Sequence, residues 1–255
     1  MPEDLWQADL LPAGSARYYA VLQQDSADQA RLKSILQLQQ IWSRAGFSHR
    51  PTEATWLKLD WWQRELEDNQ QRHPLSRALA ASIEANPALT TQLLHVLKGY
   101  RDLTRNGSPG GDDENTRFHH LTGACACLAL ANCEDDTDTQ QRVARLGVAL
   151  SKWRCLRYLR RHVANGLLCL PKSRLDAAGI SPAKLTPENS QPELQHFLAQ
   201  ELADVRTALE AVCDEMLAVP LRDAKALYVY ADLQRRLAAT VAKSNTQLMQ
   251  TELRL

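Results

Sequence analysis

Between residues 146 and 159 apolar side chains recur at Leu146, Ala149, Leu150, Trp153, Leu156 and Leu159, at spacings of three and four. That spacing places them on one face of a 3.6-residue period, so the stretch predicts a helix. The adjoining face carries Ser151, Arg154, Tyr158, Arg161, His162 and Asn165, again three and four apart, which makes a single polar stripe. A polar stripe on an otherwise buried helix lines a cavity or a cleft. The pattern predicts one long helix from Leu146 that runs into a loop containing Gly166 and Pro171.

The same reading predicts helices along the rest of the chain. Ser15 is an N-cap candidate for a helix over 15–24. A second helix over 28–45 turns Leu32, Ile35, Leu36, Leu38, Ile41 and Trp42 inward, with Gly46 as its stop. Pro51 opens a third helix to Asp68 holding Trp56, Trp61 and Trp62, and His73-Pro74 and Pro87 open two more, to Glu84 and Thr104. Residues 105–115, RNGSPGGDDEN, read as a loop. The helix expected over 116–132 carries LTGACACLALA, whose small residues permit close helix contact. After Pro171 come a short helical piece (173–178), a connector to Pro192, and long helices over 193–218 and 221–252. With no repeat and no dividing linker, the expectation is one all-α domain over 1–255, of roughly nine or ten helices.

Composition adjusts this picture in a few places. Leu, Ala, Gln and Arg dominate and β-branched runs are nearly absent, which favours helix over sheet. Lys+Arg and Asp+Glu are both 30, so net charge gives no sign of a nucleic-acid partner. Cysteines at 125, 127, 133, 155, 169 and 213 form no CxxC pair, and the N-terminal MPEDLWQADL lacks the features of a signal peptide. The expected setting is a reducing cytoplasm. No apolar stretch is long enough to span a bilayer, while peripheral contact at the inner membrane stays open.

Several groups invite chemistry. Glu134 to Asp138 is the one acidic cluster that imitates a metal motif, but it precedes the central helix and reads as N-terminal dressing. Asp112, Asp113 and Glu114 read the same way. His119 and His120 are adjacent and point to different sides of a helix, so no zinc site follows and both are expected in the core or a cavity. No metal ligand and no nucleophile is assigned. The basic run Lys152, Arg154, Arg157, Arg160, Arg161, His162 admits three readings. It is helix C-terminal charge, or a phosphate cradle built from guanidinium forks, or a patch for an acidic protein or membrane surface. The Trp-rich segment 56–62 reads as core, or as the wall of an apolar tunnel.

Five phrases in order carry a family resemblance: RYYAVL (17–22), LKLDWWQRELED (57–68), His73-Pro74, FHHLTGACACLAL (118–130), and the frame Leu146, Gly147, Ala149, Leu150, Leu156, Arg157, Gly166, Leu170, Pro171. Over about residues 15–180 the chain resembles the squalene/phytoene synthase family. That resemblance implies an all-α isoprenoid synthase-like bundle around a central cavity. It implies head-to-head prenyl transfer between two prenyl diphosphates held through Mg²⁺ on two Asp-rich helices. The positions matching the first Asp-rich motif are Ser43, Arg44 and Ala45-Gly46-Phe47, and those matching the second are Ser151, Arg154, Arg157-Tyr158 and Arg161-His162. None is acidic, and only Arg157 keeps the family's residue. Mg²⁺ needs hard oxygen ligands, and guanidinium groups repel it. The resemblance therefore implies a non-catalytic branch without a cofactor, similar to the complex I assembly factors with a squalene/phytoene synthase-like domain. On that reading Arg154, Arg157, Arg161 and His162 are candidate phosphate-binding residues, and the implied partners are an isoprenoid or lipid ligand or a respiratory-complex protein. The alternative is a head-to-head prenyltransferase with altered metal use.

Overall fold

The computed structural model of the chain describes residues 12–48, 53–68, 70–131, 136–181, 185–186, 192–217 and 221–243. Among these residues it is all-α, with twelve α-helices, one π-helical turn and no strand. They are α1 (Ala16–Leu22), α2 (Ser26–Gly46), α3 (Glu53–Glu67), α4 (Pro74–Ala85), α5 (Ala88–Asn106) and α6 (Asp112–His119). A π turn (His120–Ala124) leads into α7 (Cys125–Ala131), followed by α8 (Thr137–Arg157), α9 (Leu159–Ala164), α10 (Lys172–Ala177), α11 (Pro192–Met216) and α12 (Leu221–Lys243). Pro51, Cys133, Glu134, Asp135, Pro220 and the expected extension of the last helix past 243 lie outside the described residues. No helix among the described residues is long and apolar enough to cross a membrane.

The helix starts follow local chemistry. The Ser15 hydroxyl accepts from the Tyr18 amide at 3.2 Å, and the His73 Nδ1 accepts from Leu75 N at 3.0 Å with Pro74 at the first helical position. Asp136 caps α8 by accepting from Asp138 N at 3.0 Å. Asp112, Asp113 and Glu114 lie in the first turn of α6, where the macrodipole favours carboxylates. The end of α9 is a full Schellman closure: Gly166 N donates to Val163 O at 2.8 Å and Leu167 N to His162 O at 2.9 Å, with Gly166 at φ +72°.

Two expected helices are each broken in two. The helix from Leu146 stops at Arg157 because Tyr158 leaves helical geometry (φ −106°, ψ 19°), and α9 restarts at Leu159. The apolar repeat gave no warning, since Leu159 and His162 are still buried after the break. The segment expected to run from 116 to 132 is interrupted by the π turn, which holds one more residue per turn and so rotates the faces that follow. Gly46 is in part a correction. It is the last residue of α2, as expected of the stop, but without the left-handed backbone of a glycine cap; it is small because a Cβ there would come within 2.8 Å of the Tyr100 ring.

α8 is the central element, packed against the π turn, α7, α11 and α12. Its closest approach is backbone to backbone. A Cβ added at Gly123 would lie 2.2 Å from the Gly147 carbonyl oxygen, and one at Gly147 would lie 2.3 Å from that of Gly123. The core around this crossing is filled by Trp42, Trp62, Trp153 and Tyr100, all fully buried. Trp42 and Trp62 meet edge to face at 6.1 Å. The tryptophan segment is core only in part, because Trp56 is 40 % exposed and its neighbour Leu57 57 %.

Gly123→Ala should therefore destabilise the chain by at least about 1–3 kcal/mol, the usual cost of overpacking, because the clash is with rigid backbone. Urea denaturation of the variant against the parent protein measures this. A midpoint left unchanged would mean that the two helices do not cross this closely.

Candidate functional site

The first turn of α1, the C-terminal end of α2, the α8–α9 junction and the middle of α12 line a half-open cavity of about 290 Å³. α2 contributes Ser43, Arg44 and Phe47, and the junction contributes Arg154, Arg157, Tyr158, Arg161 and His162. Thus the two sets of positions matched to the Asp-rich motifs face each other across one space. What holds them there is local. The Asn165 side-chain amide donates to the Phe47 carbonyl at 2.7 Å, which ties the end of α9 to the end of α2. The Phe47 ring stacks on His162 at 3.9 Å and 9°.

Ser151 does not belong to this wall. Thr122 of the π turn and His119 just before it pack against Ser151, and the three form a buried polar knot. The Thr122 hydroxyl donates to Phe118 O at 2.8 Å, so it accepts from Ser151 at 3.1 Å. Ser151 has then spent its one proton and accepts from His119 Nδ1 at 3.0 Å, which fixes the histidine tautomer. His119 is buried as expected, while His120 is exposed, a correction that follows from the two side chains pointing apart.

Three wall residues carried little sequence signal. Arg17, at the head of the RYYAVL phrase, reaches Gln40 Oε1 at 3.5 Å. Gln234 on α12 accepts from Trp153 Nε1 at 3.0 Å and from Arg157 Nη1 at 3.2 Å, so it orients Arg157. Tyr230 completes the wall one turn earlier on α12. Nothing in the pattern of α12 distinguishes Gln234 from the other polar residues of an amphipathic helix.

The electrostatics are one-sided. Among the described residues the wall carries five arginines (17, 44, 154, 157 and 161) and no carboxylate. Arg17, Arg154 and Arg161 make no ion pair among the described residues. Arg154 is the extreme case: its Nε and Nη2 are buried without a hydrogen-bond partner, and its guanidinium lies 5.7 Å from the centre of the Tyr100 ring. His162 Nδ1 is likewise buried and unpartnered. Burial, then the charges of Arg154 and Arg161, push the His162 imidazole down to about 3, so at neutral pH it offers a neutral N–H and not a positive charge. Burial, then Lys152 and Arg154, hold His119 at about 3 as well. The described members of the acidic cluster, Asp136 and Asp138, sit at the start of α8, 21 residues and ~30 Å from the cavity end of that helix.

The family model described as squalene/phytoene synthase matches residues 17–255 of the chain. A dehydrosqualene synthase solved in complex with ligand superposes with a TM-score of 0.76 at 18 % identity, over 95 % of this chain and 85 % of that one. The squalene synthase HpnC from Alicyclobacillus acidocaldarius superposes with a TM-score of 0.74 at 14 % identity, over 92 % of this chain and 91 % of that one. No curated protein matches the sequence. At these identities the superpositions establish a shared all-α fold.

The two buried histidines set a pH dependence whose sign is fixed. Their folded pKa values, about 3, lie below the ordinary 6.5, so below pH 6.5 the unfolded chain binds more protons than the fold. Stability is then full above pH 6.5 and declines as pH falls towards 3, by up to about 1.4 kcal/mol per pH unit for each histidine. Denaturation curves between pH 7 and about 4 should show this slope, reduced by about one proton in His162→Gln. An identical slope in the variant would mean that His162 is not held neutral.

Proposed function

The chain belongs to the squalene/phytoene synthase family, and from that premise we propose that it is a non-catalytic member that holds a diphosphate-bearing ligand directly on arginine, without Mg²⁺. The observation that supports this reading is that Arg154 Nε and Nη2 are buried without a hydrogen-bond partner, in a cleft whose described wall carries five arginines and no carboxylate. A buried charge without a counter-ion is destabilising by several kcal/mol, and an anion in the cavity offsets that cost. Guanidinium forks match phosphate oxygens in geometry and in charge.

Mg²⁺ does not fit the same residues. It requires carboxylate oxygens in octahedral order, and the positions that would supply them hold Ser43, Arg44, Arg154, Tyr158, Arg161 and His162. Without a metal to stabilise departing pyrophosphate, the arginines stabilise the intact diphosphate instead, so the cavity is suited to retention and not to ionisation of the bound group. Arg157, oriented by Gln234, and Arg154, backed by Tyr100, are the residues we assign to direct phosphate contact. His162 adds a neutral hydrogen-bond donor between them.

Calorimetric titration with dimethylallyl diphosphate in EDTA should give saturable binding that weakens when Mg²⁺ is added, because the metal competes with arginine for the same oxygens. Arg154→Met should weaken binding by about tenfold to a hundredfold, the worth of a charged hydrogen bond. It should also raise the melting temperature of the ligand-free protein, since it removes an uncompensated buried charge. A variant that melts lower and binds as before would refute the assignment. Release of pyrophosphate from farnesyl diphosphate with Mg²⁺ would instead establish the prenyltransferase alternative.

A further inference from the structure

We infer that the cavity receives one diphosphate and about the first five carbons of its apolar tail, and that the rest of a longer tail stays outside and adds nothing to binding. This rests on reading the cavity as an anion site, and it concerns only what is attached to the anion. The first support is size. An apolar cavity of about 150 Å³ holds benzene, so roughly 25 Å³ accompanies each non-hydrogen atom. A space of about 290 Å³ then holds about a dozen atoms, of which a diphosphate supplies nine. There is room for one such group and not two.

The second support is that the path onward is closed. Past Arg17 and Tyr230, towards the interior, lies a narrow crack between α2, α7, α8 and α12, of about 40 Å³, with a further recess of about 10 Å³. Leu36 and Leu130 line both, and both are buried. The crack is floored by Gly123 and Gly147, whose backbones already touch, so the π turn and α8 cannot part there without loss of their crossing. By the same measure these recesses add space for one or two carbons. Leu36 and Leu130 are therefore the length-determining residues.

The test is a series at constant head group: inorganic pyrophosphate, then dimethylallyl, geranyl and farnesyl diphosphate, each titrated into the intact chain in EDTA. Every buried methylene normally strengthens binding about fourfold, so a cavity that swallowed the whole farnesyl tail would favour it over dimethylallyl by more than a thousandfold. The expected result is a gain from pyrophosphate to dimethylallyl diphosphate and then a plateau, with farnesyl diphosphate within tenfold of dimethylallyl. Leu130→Ala, with Leu36→Ala as a second opening in case the first variant is unstable, should restore a preference of at least tenfold for the longer tails. Farnesyl diphosphate binding more than tenfold tighter than dimethylallyl in the unaltered protein overturns the size limit and leaves the anion site standing. Failure of every member of the series to bind, pyrophosphate included, overturns the anion site itself.

Discussion

The contact between Gly123 and Gly147 is the constraint from which the rest of the arrangement follows. It brings the π turn onto α8 at backbone distance, closer than any pair of side-chain-bearing residues allows. Once α8 is pressed there, its polar stripe divides. Ser151 is turned into the knot with His119 and Thr122, while Arg154, nearly one turn further on, reaches the cavity. Because the knot is fully hydrogen-bonded, it rigidifies the crossing without leaving an orphaned group in the core. The same approach closes the crack beside Leu36 and Leu130, so a packing contact also sets the depth of the cavity.

On the cavity side the balance of forces is reversed. The Schellman closure at Gly166 and the Asn165 tie to α2 hold the ends of α9 and α2 together, and the space between them is lined by guanidinium groups. Five positive charges around one space repel each other, and Arg154, two of whose nitrogens are buried without a partner, makes no ion pair among the described residues. Folding tolerates this because α8 is anchored elsewhere, through the glycine crossing, and at the wall itself by the Trp153–Gln234 hydrogen bond. Local electrostatic discomfort held in place by distant packing is common where a protein meets a ligand.

His162 illustrates how burial changes what a residue can do. In the sequence it ends a basic run and reads as one more positive charge. Stacked on Phe47 between two arginines, it is the member of that run least able to hold a proton. The cationic character of the site is therefore carried by arginine alone, which does not titrate at physiological pH.

Periodicity was enough to find the helices, their buried faces and the stripe on the central helix, because the 3.6-residue repeat dictates which side chains share a face. Residue identity was enough to tell that the motif positions carry no carboxylate. Several decisive features lie beyond that reach. The break at Tyr158 and the π turn shift the phase of a helix while leaving apolar residues where a repeat expects them. Arg17 and Gln234 join the cavity from helices more than 60 residues away from the junction they face. A repeat along one helix says nothing about which other helix covers it. Whether Arg154 ends paired or alone, and whether His162 is charged or neutral, was settled by neighbours that only the packed chain brings together.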